Sequence, residues 1–213
     1  MISLFVDTSY KSMYVALIKD KQLMDYTNLI AEANFSELLL PSINSLLKKN
    51  NVDVNDIDKI YATVGPGSFT GIRIGLTVCK MLAWSLGKGI IPISSLEFMA
   101  TTNVKTKYVI PFIDARHDKV FGGVYDTNLN IVIADAYTSI NDLKDKLDDS
   151  YTFVSYDNFD LSNLIKPKYD VMRIINKHQN DNEISCHAIK PNYLKRTEAE
   201  ESRLWYEKQH LMI

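Results

Sequence analysis

The chain has 213 residues, 46% of them hydrophobic and 23% charged, so it can bury the core of one large domain or two small ones. Its formal net charge of −2 argues against a protein that grips nucleic acid alone, because tight binding needs many Lys or Arg contacts to phosphates. Two cysteines are too few for a disulfide scaffold, and neither a signal peptide nor an apolar run of roughly 20 residues is evident. We therefore expect a cytoplasmic protein with no membrane association.

The chain begins with a meander of short strands and a helix. Residues 2–7, 14–18 and 23–29 are predicted as three consecutive strands, because little sequence separates them. Apolar residues at helical spacing then predict a helix over 34–49. Pro41 lies inside this helix and indicates either that the helix starts shortly before it or that it kinks there.

A strand, a glycine-rich loop and a second long helix follow. The strand is predicted at 58–64 and the helix at about 71–86, with Gly87 as its C-terminal cap. A strand at 89–93 precedes Ser94-Ser-Leu-Glu97, a capping box that begins a short helix. The order β-β-β-α-β-α-β-α predicts an α/β unit with a mixed sheet.

The second half repeats this theme after a polar stretch, and we place a boundary between a first domain, 1–103, and a smaller second domain, 104–213. Its predicted elements are strands at 108–113, 120–125, 131–137 and 152–156 and a solvated helix at 139–148. Each half opens with an apolar strand closed by an aspartate, which indicates an internal duplication. Residues 157–185 show no clear pattern, and the charged tail at about 197–213 is predicted as a helix that could pack back on the first domain.

The stretch 64-VGPGSFTGIRIG-75 carries four glycines within eleven residues and admits three uses. One is conformational, since Pro66-Gly67 is typical of a tight turn. Backbone N–H groups before a helix can bind an anion, although both the Lys-Ser/Thr pair of a Walker loop and the spacing of a Rossmann fingerprint are missing. Alternatively, Gly67, Gly71 and Gly75 are spaced by four and would form a ridge without side chains, against which another helix packs closely. We favour packing over anion binding.

Two strand-end acids are candidates for a ligand site. Asp7-Thr8-Ser9 and Asp114 follow predicted strands, and ligands commonly lie at such ends in α/β sheets. Facing aspartates could hold magnesium, or each could cap a turn through its own backbone, which we favour. No histidine pair shares a helix face and no G-x-S-x-G pattern occurs, so the sequence predicts neither a metal site nor a nucleophile.

The two long helices carry more apolar side chains than one buried face needs. Phe35, Met81 and Trp84 are residue types that usually belong to a core. Both helices are nevertheless apolar on more than one face, and an exposed apolar helix pair typically marks a partner surface.

The run Gly65-Pro-Gly-Ser-Phe-Thr-Gly-Ile-Arg-Ile-Gly75 closely resembles the bacterial TsaB family, once called YeaZ. Further matching stretches, between residue 2 and about residue 200, are Val6-Asp-Thr-Ser9, Leu39-Leu-Pro41, Ser94-Ser-Leu-Glu97, Ile113-Asp-Ala-Arg116 and Pro191-Asn-Tyr-Leu194. The resemblance implies an α/β fold of two actin-like or sugar-kinase-like (ASKHA) domains, each with a mixed β-sheet flanked by helices, the second domain reduced.

The resemblance also implies a function without catalytic residues or a metal of its own. A TsaB-like chain is a partner of TsaD, which transfers a threonylcarbamoyl group to the adenosine next to the anticodon in tRNAs reading codons that start with A. A TsaE-like ATPase joins that complex, tRNA is met only through it, and any ATP or ADP with magnesium belongs to it. The same helices would also allow a homodimer when TsaD is absent.

Specific residues follow from the resemblance. The partner interface is expected at Phe35, Leu38, Leu39, Gly67, Phe69, Gly71, Arg73, Ile74, Gly75 and Val78. A nucleotide, if this subunit takes one, is expected at Asp7, Thr8, Ser9 and Asp114. On this basis Gly71→Leu should break pairing while the chain stays folded. The alternatives are a stand-alone nucleotide hydrolase of the same fold and a glycoprotease-like peptidase.

Overall fold

The computed structural model describes residues 1–30, 34–147 and 150–195 of the chain. Within these ranges the strands form two mixed sheets, one of six strands and one of five. The tail helix predicted at about 197–213 lies outside the described residues.

The first sheet contains the predicted meander and the two later strands of the first half. Its strands are β1 (Ile2–Asp7), β2 (Ser12–Lys19), β3 (Gln22–Ile30), β4 (Ile57–Gly65), β5 (Gly89–Ser94) and β11 (Ile184–Ser185). They lie in the order β11-β5-β4-β1-β2-β3. β1 pairs with β4, and β4 with β5, in parallel, whereas β2, β3 and β11 join the sheet antiparallel. The prediction of a mixed sheet is confirmed.

Two long helices, α1 (Phe35–Lys49) and α2 (Phe69–Leu86), pack on one face of this sheet. α1 continues through Pro41, so this proline does not mark its start. α2 begins after Ser68, whose Oγ accepts the N–H of Gly71, and ends at Gly87 with a left-handed φ of 63°, as predicted.

The second sheet repeats the topology of the first. Its strands are β6 (Tyr108–Asp114), β7 (Val120–Asp126), β8 (Ile131–Thr138), β9 (Tyr151–Val154) and β10 (Leu164–Ile165). Their order, β10-β9-β6-β7-β8, and their strand directions match β5-β4-β1-β2-β3 of the first sheet. This correspondence supports the internal duplication inferred from the sequence. The helix predicted over 139–148 is shorter, α4 (Ile140–Lys144).

Two short helices, α3 (Ser95–Ala100) and α5 (Val171–His178), join the two sheets in a shared core. Ser94 caps α3 as predicted, since its Oγ accepts the N–H groups of Leu96 and Glu97. The Glu97 carboxylate does not complete a capping box. Its Oε1 lies 2.5 Å from Nζ of Lys177 and 3.0 Å from Nε2 of His178, so α5 is tied to α3.

The region 157–185, which shows no pattern in the sequence, supplies β10, α5 and β11. β11 pairs with β5, so the chain returns from the second sheet to the edge of the first. Among the described residues no helix is long and apolar enough to cross a membrane.

Candidate partner-binding surface and inter-sheet cleft

The glycine loop packs against the end of β1. The N–H of Ser68 donates to the carbonyl of Ser9 at 2.7 Å, and the Thr8 hydroxyl donates to the carbonyl of Gly71 at 2.7 Å. A Cβ atom at Gly67 or Gly71 would lie 2.1 Å from the carbonyl oxygen of Ser9 or Thr8, respectively. At Gly75 it would lie 2.4 Å from the Thr8 hydroxyl. The glycines therefore let α2 approach the β1 backbone of its own chain.

This placement corrects the prediction of a glycine ridge that faces a partner. Close packing is the use of the glycines, but Gly67, Gly71 and Gly75 meet residues of the same chain. Phe35 and Leu39 of α1, also predicted at the interface, are buried in the core, with exposed fractions of 9% and 0%. Contrary to the prediction from the sequence, we therefore expect Gly71→Leu to destabilise the fold, because the added side chain would meet the Thr8 carbonyl at the end of β1.

The solvent-facing side of the two helices is strongly apolar. On α2, Phe69 is 42% exposed, Met81 63% and Trp84 69%, and on α1 Leu40 is 53% exposed. Six of the residues predicted at the interface lie fully or partly on the surface: Leu38, Gly67, Phe69, Arg73, Ile74 and Val78. We call the solvent-facing residues Phe69, Arg73, Met81 and Trp84 the α2 stripe. Leu40, Met81 and Trp84 were missing from the predicted interface, although helical spacing places Trp84 only about 60° around α2 from Phe69.

A groove of about 500 Å³ lies beside these side chains, between the two helices. Its wall consists of Leu40, Pro41, Ile43, Asn44, Leu47, Val54 and Leu82. The surface therefore combines protruding and recessed apolar parts, as protein interfaces with good shape complementarity do.

At the N-terminal end of α2, the Arg73 guanidinium lies against the Phe69 ring, which itself stacks on the ring of Tyr193. Its guanidinium carbon is 3.8 Å from the ring centroid of Phe69 and 5.9 Å from that of Tyr193. Nε donates to the Tyr193 hydroxyl at 2.8 Å, and the two rings stack with centroids 5.1 Å apart. The strand-like segment that carries Tyr193 is held by Asn192, whose N–H donates to the Val64 carbonyl at 2.7 Å.

A cleft of about 890 Å³ opens between the sheets. Its polar wall includes Lys11, Ser68, Asp114, Arg116 and Asp157. Lys11 Nζ lies 2.7 Å from Oδ1 of Asp157, and the N–H of Asp114 donates to Oδ2 of the same carboxylate at 2.7 Å. Burial opposes ionisation of Asp157, but hydrogen bonds that include the one from Lys11 hold its pKa below the usual range. The charges of Lys11 and Asp157 are thus already paired within the chain.

The four residues predicted to bind a nucleotide do not meet in this cleft. Asp7 is 2% exposed, and its Oδ1 accepts the N–H and hydroxyl of Ser9 at 2.9 and 2.5 Å and the Thr63 hydroxyl at 2.6 Å. Burial raises the pKa of Asp7 despite these bonds. Of the four, Asp114 alone lies on the cleft wall, and Thr8 and Ser9 use their hydroxyls inside the chain.

Both strand-end acids instead close turns. Oδ1 of Asp7 accepts the N–H of Ser9, and Oδ1 of Asp114 accepts the N–H of Arg116 at 2.8 Å, the same spacing in the two halves. This is the interpretation we favour from the sequence. In residues 1–30, 34–147 and 150–195, no group of three His, Cys, Asp or Glu side chains is arranged to hold a metal ion.

Comparison with known proteins assigns the chain to a protein family. A family model described as TsaD, tRNA N6-adenosine threonylcarbamoyltransferase, matches residues 29–184. A Bacillus subtilis protein named tRNA threonylcarbamoyladenosine biosynthesis protein TsaB is 30% identical over 98% of the chain and 100% of its own length. The chain belongs to the TsaB family. A Haemophilus influenzae member is 32% identical over 55% of the chain and 51% of that protein.

Longer relatives align less completely with this TsaB-family chain. A Chlorobium luteolum tRNA N6-adenosine threonylcarbamoyltransferase is 26% identical over 55% of the chain but only 31% of its own length. The fold agrees with a solved structure titled YeaZ from Pseudomonas aeruginosa, which has a TM-score of 0.78 and 22% identity over 91% of the chain and 99% of that protein. The predicted ASKHA-type architecture of two mixed sheets flanked by helices is confirmed.

Proposed function

We propose that this chain is a non-catalytic partner subunit of a tRNA threonylcarbamoyl transferase complex. It would assemble with a TsaD-like paralogue and a TsaE-like ATPase, and meet tRNA only through them, in the cytoplasm. The complex would modify the adenosine next to the anticodon in tRNAs that read codons starting with A. Membership of the TsaB family supports this role, as does the full-length match to a TsaB relative beside a match to a third of a TsaD relative.

The exposure of Met81 and Trp84 carries the proposal. At 63% and 69%, these are large apolar side chains left in solvent on one side of α2, and Leu40 of α1 is 53% exposed. Aromatic residues and Met are enriched at interface cores, and a stable interface would bury about 1,200–2,000 Å² in total. The same face would allow a homodimer in the absence of the TsaD-like partner.

The strand ends support a role without catalysis in this chain. An ASKHA-type hydrolase would need free carboxylates and hydroxyls in the cleft, whereas the Asp7 carboxylate is enclosed and the Thr8 and Ser9 hydroxyls are bonded within the chain. We therefore assign any ATP or ADP and magnesium to the assembled complex. Purified chain that turns over ATP with magnesium, or cleaves peptides, without partners would contradict this assignment.

The decisive experiment reconstitutes tRNA threonylcarbamoylation with the TsaD- and TsaE-like proteins and a TsaC-like enzyme, which makes the threonylcarbamoyl-adenylate. Modified adenosine is measured by mass spectrometry. We expect product only when this chain is added. Replacing both Met81 and Trp84 with Ser should abolish complex formation and product while the denaturation midpoint stays unchanged. Ile131→Thr is the matched control, because Ile131 is 62% exposed on the second sheet and should have no effect. Equal product without the chain would overturn the proposed function.

A further inference from the structure

Arg73 differs from an ordinary surface arginine because its side chain is already fixed. A free arginine loses rotamer entropy when it is immobilised. Here the Phe69 ring below the guanidinium, at 3.8 Å, and the Tyr193 hydroxyl at Nε, at 2.8 Å, hold it before any partner arrives. Part of the cost of binding is therefore met within the free chain.

The terminal nitrogens of this guanidinium are left open. In the part of the chain that the structure describes, no carboxylate or carbonyl accepts a hydrogen bond from them, and the side chain is exposed. Nε is the nitrogen used internally, so the two terminal amino groups form a pair of parallel donors that faces solvent. Such a fork matches the two oxygens of a carboxylate.

The position of Arg73 favours a protein as the source of that carboxylate. It lies on the α2 stripe, about two helical turns before Met81 and about three before Trp84. Trp and Arg are enriched among the residues that dominate binding energy. A nucleic acid would need several phosphate contacts, and the chain has a formal net charge of −2.

We propose that Arg73 is the polar anchor of the partner surface and binds an Asp or Glu carboxylate of the TsaD-like partner through both terminal nitrogens. The inference rests on the proposed function and adds the chemistry of one contact. The apolar residues of the α2 stripe supply buried area, and the Arg73 pair fixes the orientation of the partner along the helix.

The test measures the affinity of purified chain and TsaD-like partner by calorimetry, without nucleic acid. Arg73→Gln should weaken binding about tenfold or more, because the partner's carboxylate loses its ion partner. Lys105→Gln is the matched control, since Lys105 is exposed and lies outside the two helices of the partner surface, and the affinity of this variant should stay within about twofold of the wild type. Arg73→Lys should lose most of the affinity, because it keeps the charge but not the fork.

Two further variants separate the anchor from general electrostatics. Tyr193→Phe keeps the stacked ring but removes the oxygen that accepts from Nε, so we expect a smaller loss of about threefold through lost pre-organisation. On the partner, one Asp→Asn or Glu→Gln change should weaken wild-type binding but leave the affinity of Arg73→Gln unchanged. All variants should keep the wild-type denaturation midpoint.

Each other outcome overturns the inference. Wild-type affinity in Arg73→Gln leaves the proposed function standing and removes the anchor. Equal losses in Arg73→Gln and Lys105→Gln point to unspecific charge, and a loss that appears only when tRNA is added to the same measurement points to a phosphate. Failure of the wild-type chain to bind the partner at all removes the proposed function and the anchor together.

Discussion

Replacing Gly71 with Ala tests whether the glycines of α2 serve the fold or the partner surface. The added Cβ atom would lie 2.1 Å from the Thr8 carbonyl oxygen, so β1 and α2 would have to move apart by roughly 1 Å. That movement would also stretch two hydrogen bonds of 2.7 Å, from the Thr8 hydroxyl to the Gly71 carbonyl and from the N–H of Ser68 to the Ser9 carbonyl.

The size of the effect follows from these contacts. Overpacking of a filled interior costs about 1–3 kcal/mol, and each of the two hydrogen bonds contributes about 1 kcal/mol. We therefore expect Gly71→Ala to lower the free energy of unfolding by about 3–5 kcal/mol, a large share of the roughly 5–15 kcal/mol typical of a domain. Urea denaturation followed by circular dichroism measures the change.

Gly87→Ala provides the control. A Cβ atom there would meet nothing within 4 Å, and its left-handed φ of 63° alone should cost about 1–2 kcal/mol. A Gly71→Ala protein that keeps the wild-type midpoint but no longer binds its partner would refute the reasoning, because Gly71 would then face the partner and not Thr8.

Two other predictions concern the ion pairs of His178 and the buried thiol of Cys79. Burial opposes the charge of His178, but hydrogen bonds to Glu97 and Asp181 raise its pKa, so its stabilising effect is complete below about pH 6.5 and is lost as pH rises through the raised folded pKa. The loss of stability in His178→Gln should therefore shrink as pH rises, and a loss independent of pH would contradict the assignment. Burial raises the pKa of the Cys79 thiol to about 12, so mass spectrometry should find Cys79 unlabelled by a thiol reagent at pH 8 until the protein is denatured; rapid labelling of the native protein would contradict its burial.

Periodicity in the sequence was enough to predict the two long helices and most strands, but not the direction in which each helix face points. α2 is apolar on nearly every side, so the spacing of Gly71 and Gly75 is equally compatible with a partner and with the core. The direction is decided by Thr8, 63 residues earlier in the chain, whose hydroxyl bonds to the Gly71 carbonyl. Once that contact is known, Met81 and Trp84 must face solvent.

The strand-end acids were predictable because their hydrogen bonds are local, whereas the pairing of distant segments was not. Asp7 and Asp114 were correctly identified as ends of strands, and the spacing to Ser9 and Arg116 already favoured local turns. The pairing of β11 with β5 was not predictable, because a two-residue strand has no alternation of its own and exists only through its neighbour. The contact of Tyr193 with Arg73 was not predictable either, because 120 residues separate the two in the sequence.

The return of β11 to the first sheet has a consequence for synthesis on the ribosome. The outer edge of β5 receives its neighbour only when Ile184 and Ser185 have been made, and the Val64 carbonyl receives its donor only with Asn192. Until then the nascent first half carries an open strand edge, a template for pairing with other chains. The sheet that is begun by the first residues of the protein is thus finished by nearly the last ones described, and its completion coincides with that of the Arg73 site.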